Sequence, residues 1–200
     1  MARTNLERTE RSRRAVLDAA LPVFKRNGYA AASLNRIIEA SGLTKGGFYF
    51  HFPSKQALAL AVLEDHQQRW IADIRARISA YPRAVDRLFA APRAIAVATR
   101  EGEGPAALQK LVGELAQDPD LRAQVCGGAR IWIETVTEHF RAAQEEGTVR
   151  DDVDAAVFAE VAVGTFTGMQ TLTEQFDDDD LERRVELLVR VMKLAALTEP

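Results

Sequence analysis

The sequence predicts an all-α protein of about nine helices, and three observations lead there. Apolar residues recur at three- and four-residue spacing along most of the chain, as they do on the buried face of a helix. Helix starts and stops are marked by side chains and glycines suited to the task, with Ser33, Thr44 and Ser54 placed to cap starts and Gly42 and Gly147 placed to end helices. Hydrophobic residues make up 47% of the 200 residues, with only 12 Gly and 7 Pro, the balance of an ordinary globular chain.

The first helix is expected from about Thr9 to Asn27, with Ala15, Val16, Ala19, Ala20, Val23 and Phe24 as its apolar stripe. Pro22 lies inside it and should remove one hydrogen bond and bend the axis; no function accounts for it. Arg3, Arg8, Arg11, Arg13 and Arg14 form an arm leading into this helix. Such arms follow phosphates or enter a minor groove. For Arg3 and Arg8 a merely solubilising tail stands as an equal reading.

From Ser33 to Lys55 the sequence reads as two short helices, a tight turn and the start of a third. Ser33 caps a helix with Leu34, Ile37 and Ile38 on one face, and Gly42 supplies the left-handed residue that ends it. Thr44 caps the next helix, Lys45 to Phe52, which Pro53-Ser54 terminates. Helix, Gly-containing turn and helix is the outline of a helix-turn-helix, whose second helix lies in the DNA major groove. Gly46 and Gly47 each cost that helix about 1 kcal/mol relative to Ala, so local stability does not explain them. Bare backbone there would allow close approach to base edges. Lys55 falls in the first turn of the following helix, where the helix dipole disfavours a cation, and a bound phosphate would resolve that conflict. A solvated lysine beside a flexible Gly pair is the plain alternative.

These residues resemble the DNA-binding signature of the TetR family of bacterial regulators. The resemblance rests on Ser33-Leu34, Ile37-Ile38, Ala40 to Gly46, Phe48-Tyr49, His51-Phe52 and Ser54 to Leu58, with Ala19-Ala20, Phe24 and Asn27-Gly28-Tyr29 upstream. The run Lys45 to Phe52 also resembles the γ-butyrolactone-receptor branch. Beyond the signature, Leu115-Ala116, Pro119, Leu121-Arg122, Trp132 and the turn from Gly147 to Asp154 are similar to the ligand-domain pattern of many members. The resemblance implies residues 1–55 as a DNA-binding domain and 56–200 as a ligand-binding and dimerisation domain. It also implies that the last two helices pair with those of a second copy.

Charge agrees with that division. Net charge is −3 overall, yet residues 1–55 hold ten Lys/Arg against four Asp/Glu, leaving +6 in the head and −9 in the remainder. The basic part coincides with the helix-turn-helix, as an electrostatic footprint on DNA requires. Phosphate contacts are expected from Thr44, Tyr49 and Lys55, with Ser33 and Arg36 as further candidates. Lys45 and Gly46 are expected at base edges, and His51 at either. Phe48 and Phe52 are expected to pack the head.

A long helix is expected from Ser54 to about Ala80, with Leu58, Val62, Trp70, Ile74 and Ile78 on its apolar side. Residues 82–100 and 105–117 read as two further helices, the first containing Pro92. Asp118-Pro119-Asp120 opens another that reaches Glu146, with Gly147 as its C-cap. On that helix Trp132 follows Gly127-Gly128 by about one turn, leaving room beside its ring. A ligand cavity lined by Trp132 and Val136 is one explanation, and close helix packing over the Gly pair is the other. Residues 155–173 carry a single charge, Glu160, and are too polar for lipid, which suggests a helix buried on several sides in water. Gly164 and Gly168 permit close helix approach. The last helix, about Leu181 to Leu197, opens with a capping-box-like Asp179 and Glu182. The Asp177–Asp180 run therefore reads as a helix entrance rather than a calcium loop.

The single cysteine, Cys126, excludes an internal disulfide and a Cys-based zinc site, and suits a reducing cytoplasm; a buried structural thiol is expected rather than a sensor. The basic N-terminus has no apolar stretch behind it, so it is not read as a secretory signal. No GxSxG, HExxH, P-loop or dinucleotide fingerprint occurs, and His51, His66 and His139 are too scattered for a metal proposal. No catalytic residue, cofactor or metal is therefore expected. The expected partners are double-stranded operator DNA, a largely apolar small-molecule inducer and a second copy of the chain, with no membrane. The function expected is ligand-controlled repression from an inverted-repeat operator. The competing class is a ligand-blind architectural DNA binder whose C-terminal part only dimerises.

Overall fold

The computed structural model describes residues 2–101, 105–125, 127–176 and 180–197. The expectations for Cys126 and for Asp177–Asp179 fall outside those residues. The described residues form ten α-helices and one short 3-10 turn, with no strand. They are α1 (Ala2–Asn27), α2 (Leu34–Ser41), α3 (Lys45–His51), α4 (Lys55–Ile78), α5 (Ala84–Arg100), α6 (Gln109–Leu115), α7 (Pro119–Val125), α8 (Gly128–Glu145), α9 (Ala155–Phe176) and α10 (Leu181–Ala196), with the 3-10 turn over Pro105–Leu108. No helix among the described residues is long and apolar enough to cross a membrane.

The chain divides into two compact units that are not consecutive in sequence. The first comprises residues 1–69 and 105–126, the second 70–104 and 127–200. In the first unit α1 buries Val16, Leu17, Ala20 and Phe24 against Ile37 and Ile38 of α2, Phe48 of α3, and Leu58, Ala59 and Val62 of α4. Leu108, Leu111, Leu115 and Leu121, from the segment after residue 104, complete that core. The head thus owes part of its apolar core to residues far along the chain. Apolar burial is worth about 25 cal/mol per Å² removed from water, so these leucines help hold the head together.

The turns of this unit follow from their residues. Gly28 (φ +72°) ends α1, its N–H bonding the Phe24 carbonyl at 2.9 Å. The left-handed backbone is not its only constraint. A Cβ built there would lie 2.5 Å from Glu114 Oε1, because α6 crosses directly over this glycine. Gly42 (φ +71°) ends α2, its N–H bonding the Glu39 carbonyl at 3.1 Å. A β-carbon would strain such a backbone at either site. α4 is tied to α1 by charge. Asp65 is buried between Arg14 of α1, at 2.6 Å, and Arg69 one turn on, while Asp18 lies 3.4 Å from Arg69.

In the second unit α5, α8, α9 and α10 enclose a core of Leu88, Phe89, Phe140, Phe158, Phe166, Val185, Val189 and Met192. A separate cluster gathers Trp70, Ile71 and Ile74 of α4 with Ala98 of α5 and Trp132 of α8.

Several boundaries differ from expectation. α1 begins at Ala2 rather than Thr9, so the basic arm is helical. It also runs through Pro22, which is exposed, so the carbonyl deprived of its helical donor lies on the outer side. The helix expected from Asp118 to Glu146 is two, α7 and α8, interrupted before Gly128. Two adjacent glycines there lower the cost of leaving the helical path. α9 is buried on one face only. Ala155, Phe158, Ala159, Ala162 and Phe166 face inward, whereas Val157, Val161, Leu172 and Phe176 are exposed in the single chain. The positions a Cβ would take on Gly164 and Gly168 meet nothing within 4 Å, so among the described residues no helix uses the close approach they permit.

Candidate functional site

The helix-turn-helix of the first unit is made as its capping residues require. Ser33 Oγ accepts the Arg36 N–H at 3.4 Å, starting α2, and Thr44 Oγ1 accepts the Gly47 N–H at 3.1 Å, starting α3. Both caps use oxygen lone pairs, leaving the hydroxyl protons free to donate. Ser54 Oγ accepts the Ala57 N–H at 3.0 Å and caps α4. α3 then turns its two apolar anchors inward. Phe48 and Phe52 are 0% and 2% exposed, as packing residues should be.

The other face of α3 is open. Thr44, Lys45, Gly46 and Tyr49 are all exposed, and Arg36 is exposed on α2. The two glycines of α3 now separate. A Cβ on Gly47 would meet Leu43 Cδ2 at 3.2 Å and Thr44 Oγ1 at 3.4 Å, so packing within the chain accounts for this residue. A Cβ on Gly46 would meet nothing within 4 Å, so nothing in the chain requires glycine there. Sequence reasoning passed over Phe50, which is 76% exposed and lies one helical turn beyond Gly46 on the same open face. The signal was available in the alternation of buried Phe48 and Phe52 around it, which sends the intervening ring outward.

Two expected DNA contacts are engaged within the protein. Lys55 is half-buried; its Nζ donates to the Ala30 carbonyl at 3.1 Å and lies 4.9 Å from the Tyr29 ring centroid. The conflict between this cation and the start of α4 is therefore already eased by a carbonyl and a ring face. Two of its three N–H donors remain for a phosphate. His51 is also half-buried, its Nε2 2.7 Å from Ser12 Oγ of α1, and its ring meets the Phe50 ring edge to face. That bond aims the imidazole at α1, leaving one ring nitrogen for an outside partner.

The residues expected to line a ligand site lie in the second unit. Trp132 is 7% exposed, and the space beside its ring is filled by Trp70, whose centroid is 4.7 Å away in an edge-to-face arrangement. Val136, one turn further along α8, packs against the larger aromatic core, so the two residues border different clusters. Half-buried Ile95 borders both. The described residues include no group of His, Cys, Asp or Glu arranged to hold a metal ion.

A capped helix-turn-helix with an open cationic face, in a chain that continues into a second all-helical unit, defines the class of helix-turn-helix transcriptional regulators. The chain belongs to the TetR family. The family model described as bacterial regulatory proteins, tetR family, matches residues 16–62, and that of the tetracyclin repressor-like C-terminal domain matches residues 72–188. The A-factor receptor protein of Streptomyces griseus is 29% identical over 164 residues, 80% of this chain but only 54% of that receptor's length. The HTH-type transcriptional regulator UidR of Escherichia coli is 29% identical over 147 residues, 73% of each chain. A solved structure described as "Molecular basis for control of antibiotic production by a bacterial hormones" superposes with a TM-score of 0.74 at 31% identity, covering 93% of this chain and 97% of the other. The resemblance to the γ-butyrolactone-receptor branch is matched by the A-factor receptor similarity.

Proposed function

We propose that the protein is a ligand-responsive repressor that binds an inverted-repeat operator as a dimer and leaves it when a small molecule binds. The open face of α3, bearing Thr44, Lys45, Gly46, Tyr49 and Phe50 over a buried Phe48–Phe52 anchor, carries the DNA reading. Lys45 reaches guanine O6 and N7, Gly46 lets the backbone approach a base edge, and Phe50 packs on a thymine methyl. Thr44, Tyr49, Lys55, Ser33 and Arg36 hold phosphates, and His51 adds a contact through its remaining ring nitrogen. In this reading residues 1–55 supply the DNA contacts and 56–200 the ligand site and the dimer.

The dimer reading is supported by an apolar face that the single chain leaves uncovered. Val157, Val161, Leu172 and Phe176 of α9 and Leu187, Val191 and Leu194 of α10 are exposed, with Gly164 and Gly168 open between them. Exposed apolar residues gathered on two helices in this way mark interaction sites in soluble proteins. A two-fold dimer on this face requires half-sites about one helical turn apart, or a multiple of it. Footprinting on DNA selected from a random pool tests this. A monomer bound tightly to an isolated half-site would overturn it.

The ligand reading places a largely apolar molecule at Trp132, with Val136 on its border. A thermal-shift screen of small molecules followed by a DNA-release assay identifies the ligand. Trp132→Ala should then weaken release while operator affinity stays near normal. A normal ligand response in a folded Trp132→Ala protein would return Trp132 to core packing and favour a ligand-blind DNA binder.

A further inference from the structure

We infer that a groove on the second unit, bordered by the last turn of α4, by α5 and by α10, binds an organic monocarboxylate with a flat apolar body. This surface site is separate from Trp132 and does not rest on the ligand reading above.

The groove encloses about 410 Å³, within the range of small-molecule sites. Ala90, Ala94 and Val97 form a stripe of short side chains along α5 and leave its floor low. Residues spaced by three and four share one helix face, so the longer neighbours stand beside them as walls. Ile78 and Phe89, both buried, complete the apolar lining, and Tyr81 adds a ring that is 45% exposed.

The polar lining is Arg77, Arg93, Lys193 and Asp86, three cations to one acid. Arg77 donates to Asp73 at 2.6 Å and to Glu101 at 2.7 Å, and Arg93 donates to the two oxygens of Glu186 at 2.5 and 2.6 Å. Those three carboxylates do not line the groove, so they hold the guanidinium groups in place from outside it. Asp86 is taken by Arg83, which reaches its two oxygens at 2.7 and 2.9 Å. Lys193 differs. Among the described residues no carboxylate lies within ion-pair distance of its Nζ, which sits over the Phe89 ring, 5.5 Å from the centroid.

One cation without an acid matches one negative charge. A carboxylate fits, with one oxygen accepting from Lys193 and the other from N–H groups that Arg77 and Arg93 still have to donate. A dianion would set its second charge against Asp86 and Glu186. Hydrogen bonds from Arg83 and Arg93 hold these two carboxyls below the ordinary carboxylate range, so both stay charged at neutral pH. A cationic ligand would meet three cations. The guanidinium groups are ordered before any ligand arrives, which lowers the entropy cost of binding. Their planar faces and the Tyr81 ring favour a flat body over a branched one.

The chain has three tyrosines, and Tyr29 and Tyr49 lie in the first unit, so 3-fluorotyrosine gives Tyr81 its own ¹⁹F resonance with two internal controls. Each resonance is assigned through a Tyr→Phe variant. The full-length protein is titrated with 2-naphthoate, 2-naphthylmethanol and 2-naphthylmethylammonium, which share one body and differ in head group. Naphthoate should move the Tyr81 resonance to saturation and leave the other two in place, with the alcohol weaker and the ammonium weakest. Lys193 is exposed, so its variants should fold. Lys193→Gln should bind naphthoate about fivefold more weakly, while Lys193→Arg, which keeps the charge, should bind as the parent does. Trp132→Ala should leave the Tyr81 response unchanged, which separates this groove from the ligand reading at Trp132. Absence of saturation, an alcohol or ammonium as tight as naphthoate, equal affinity in Lys193→Gln, or a Tyr81 response lost in Trp132→Ala would each overturn the site.

Discussion

Lys55 and Glu114 grip the same residue from opposite sides. Lys55 Nζ donates to the Ala30 carbonyl at 3.1 Å, while a Glu114 carboxylate oxygen accepts the Ala30 N–H at 2.6 Å. The turn between α1 and α2 is thereby fixed by the first turn of α4 and by α6, a helix 84 residues away in sequence from the amide it holds. Gly28, two residues before, is what lets α6 come so close.

Gly28→Ala should therefore be destabilising for two separable reasons. Its φ of +72° costs a β-carbon about 1–2 kcal/mol, and the new methyl collides with the Glu114 carboxylate. Glu114→Ala removes the clash with the carboxylate and leaves the backbone strain and the contact with Lys110 Cγ at 2.9 Å. In urea unfolding, Glu114→Ala should cost less stability in the Gly28→Ala background than in the parent. Additive costs would mean that the carboxylate swings aside freely.

Lys55 and Lys45 should differ in kind. Lys55→Gln removes a phosphate contact, so operator and random DNA should weaken by similar factors, with the salt slope shallower by about 0.9 per contact removed. Its Ala30 bond predicts a small loss of stability as well. Lys45→Ala, on the exposed start of α3, should cost about 1–3 kcal/mol on the cognate half-site and far less on random DNA. Titrations of both variants against both DNAs at several salt concentrations make the comparison. Equal weakening by Lys45→Ala would make it a backbone contact and shift specificity to Gly46, Tyr49, Phe50 or DNA shape.

The helix-turn-helix was legible because its signals are local. Ser33, Gly42, Thr44 and Ser54 act on amides or carbonyls within three residues, so their spacing alone specifies the caps. What depends on distant partners was not legible. Nothing near Lys55 announces that the Ala30 carbonyl will accept a hydrogen bond from it, or near His51 that Ser12 will meet it 39 residues back. The leucines of 108–121 read as an ordinary amphipathic stretch, and their periodicity does not say which core they enter. Trp132 was conspicuous, whereas Trp70 passed as one apolar residue among several on α4; only the fold brings the rings together. The outward faces of α9 and α10 were visible as apolar periodicity, which cannot distinguish a face buried by the same chain from one left open.

The Gly46–Gly47 pair allows close approach to DNA to be tested apart from folding. Gly46→Ala meets no atom of the chain and removes a helix-disfavouring residue, so the protein should be as stable or gain up to about 1 kcal/mol. Operator affinity should nevertheless fall, because the methyl occupies space the DNA needs. Gly47→Ala pushes on Leu43 and Thr44, so it should lose stability first. Melting midpoints and gel-shift titrations on both variants separate these effects. Unchanged operator binding by Gly46→Ala would remove Gly46 from the interface.

His139 makes stability depend on pH near neutrality. Burial holds its pKa below the ordinary 6.5; Arg87 and Arg75 push the same way and Glu138 opposes them. The folded state therefore resists a proton that the unfolded chain accepts. Stability is full above about pH 7 and falls as the pH drops through the unfolded value, levelling once the folded pKa is passed. His139→Gln should flatten that fall between about pH 7.5 and pH 5.5. Urea midpoints across this range test it, and parallel curves for parent and variant would assign the slope to other groups.

The exposed face of α9 and α10 yields the last prediction. Val161 is 63% exposed and Leu194 83% exposed in the single chain, so a charge at either disturbs no intramolecular packing. If the face is covered by a second copy, Val161→Asp and Leu194→Asp bury two like charges per interface and should dissociate the dimer. The separated chains should keep their helical circular dichroism, because Phe158, Phe166, Val185 and Val189 still fill the core behind the face. Operator affinity should fall with dimerisation, since each half-site is then bound independently. Sedimentation velocity alongside footprinting reads both effects. A variant that stayed dimeric at micromolar concentration would move the dimer contact elsewhere, and one that became monomeric yet protected both half-sites with parental affinity would uncouple assembly from DNA binding.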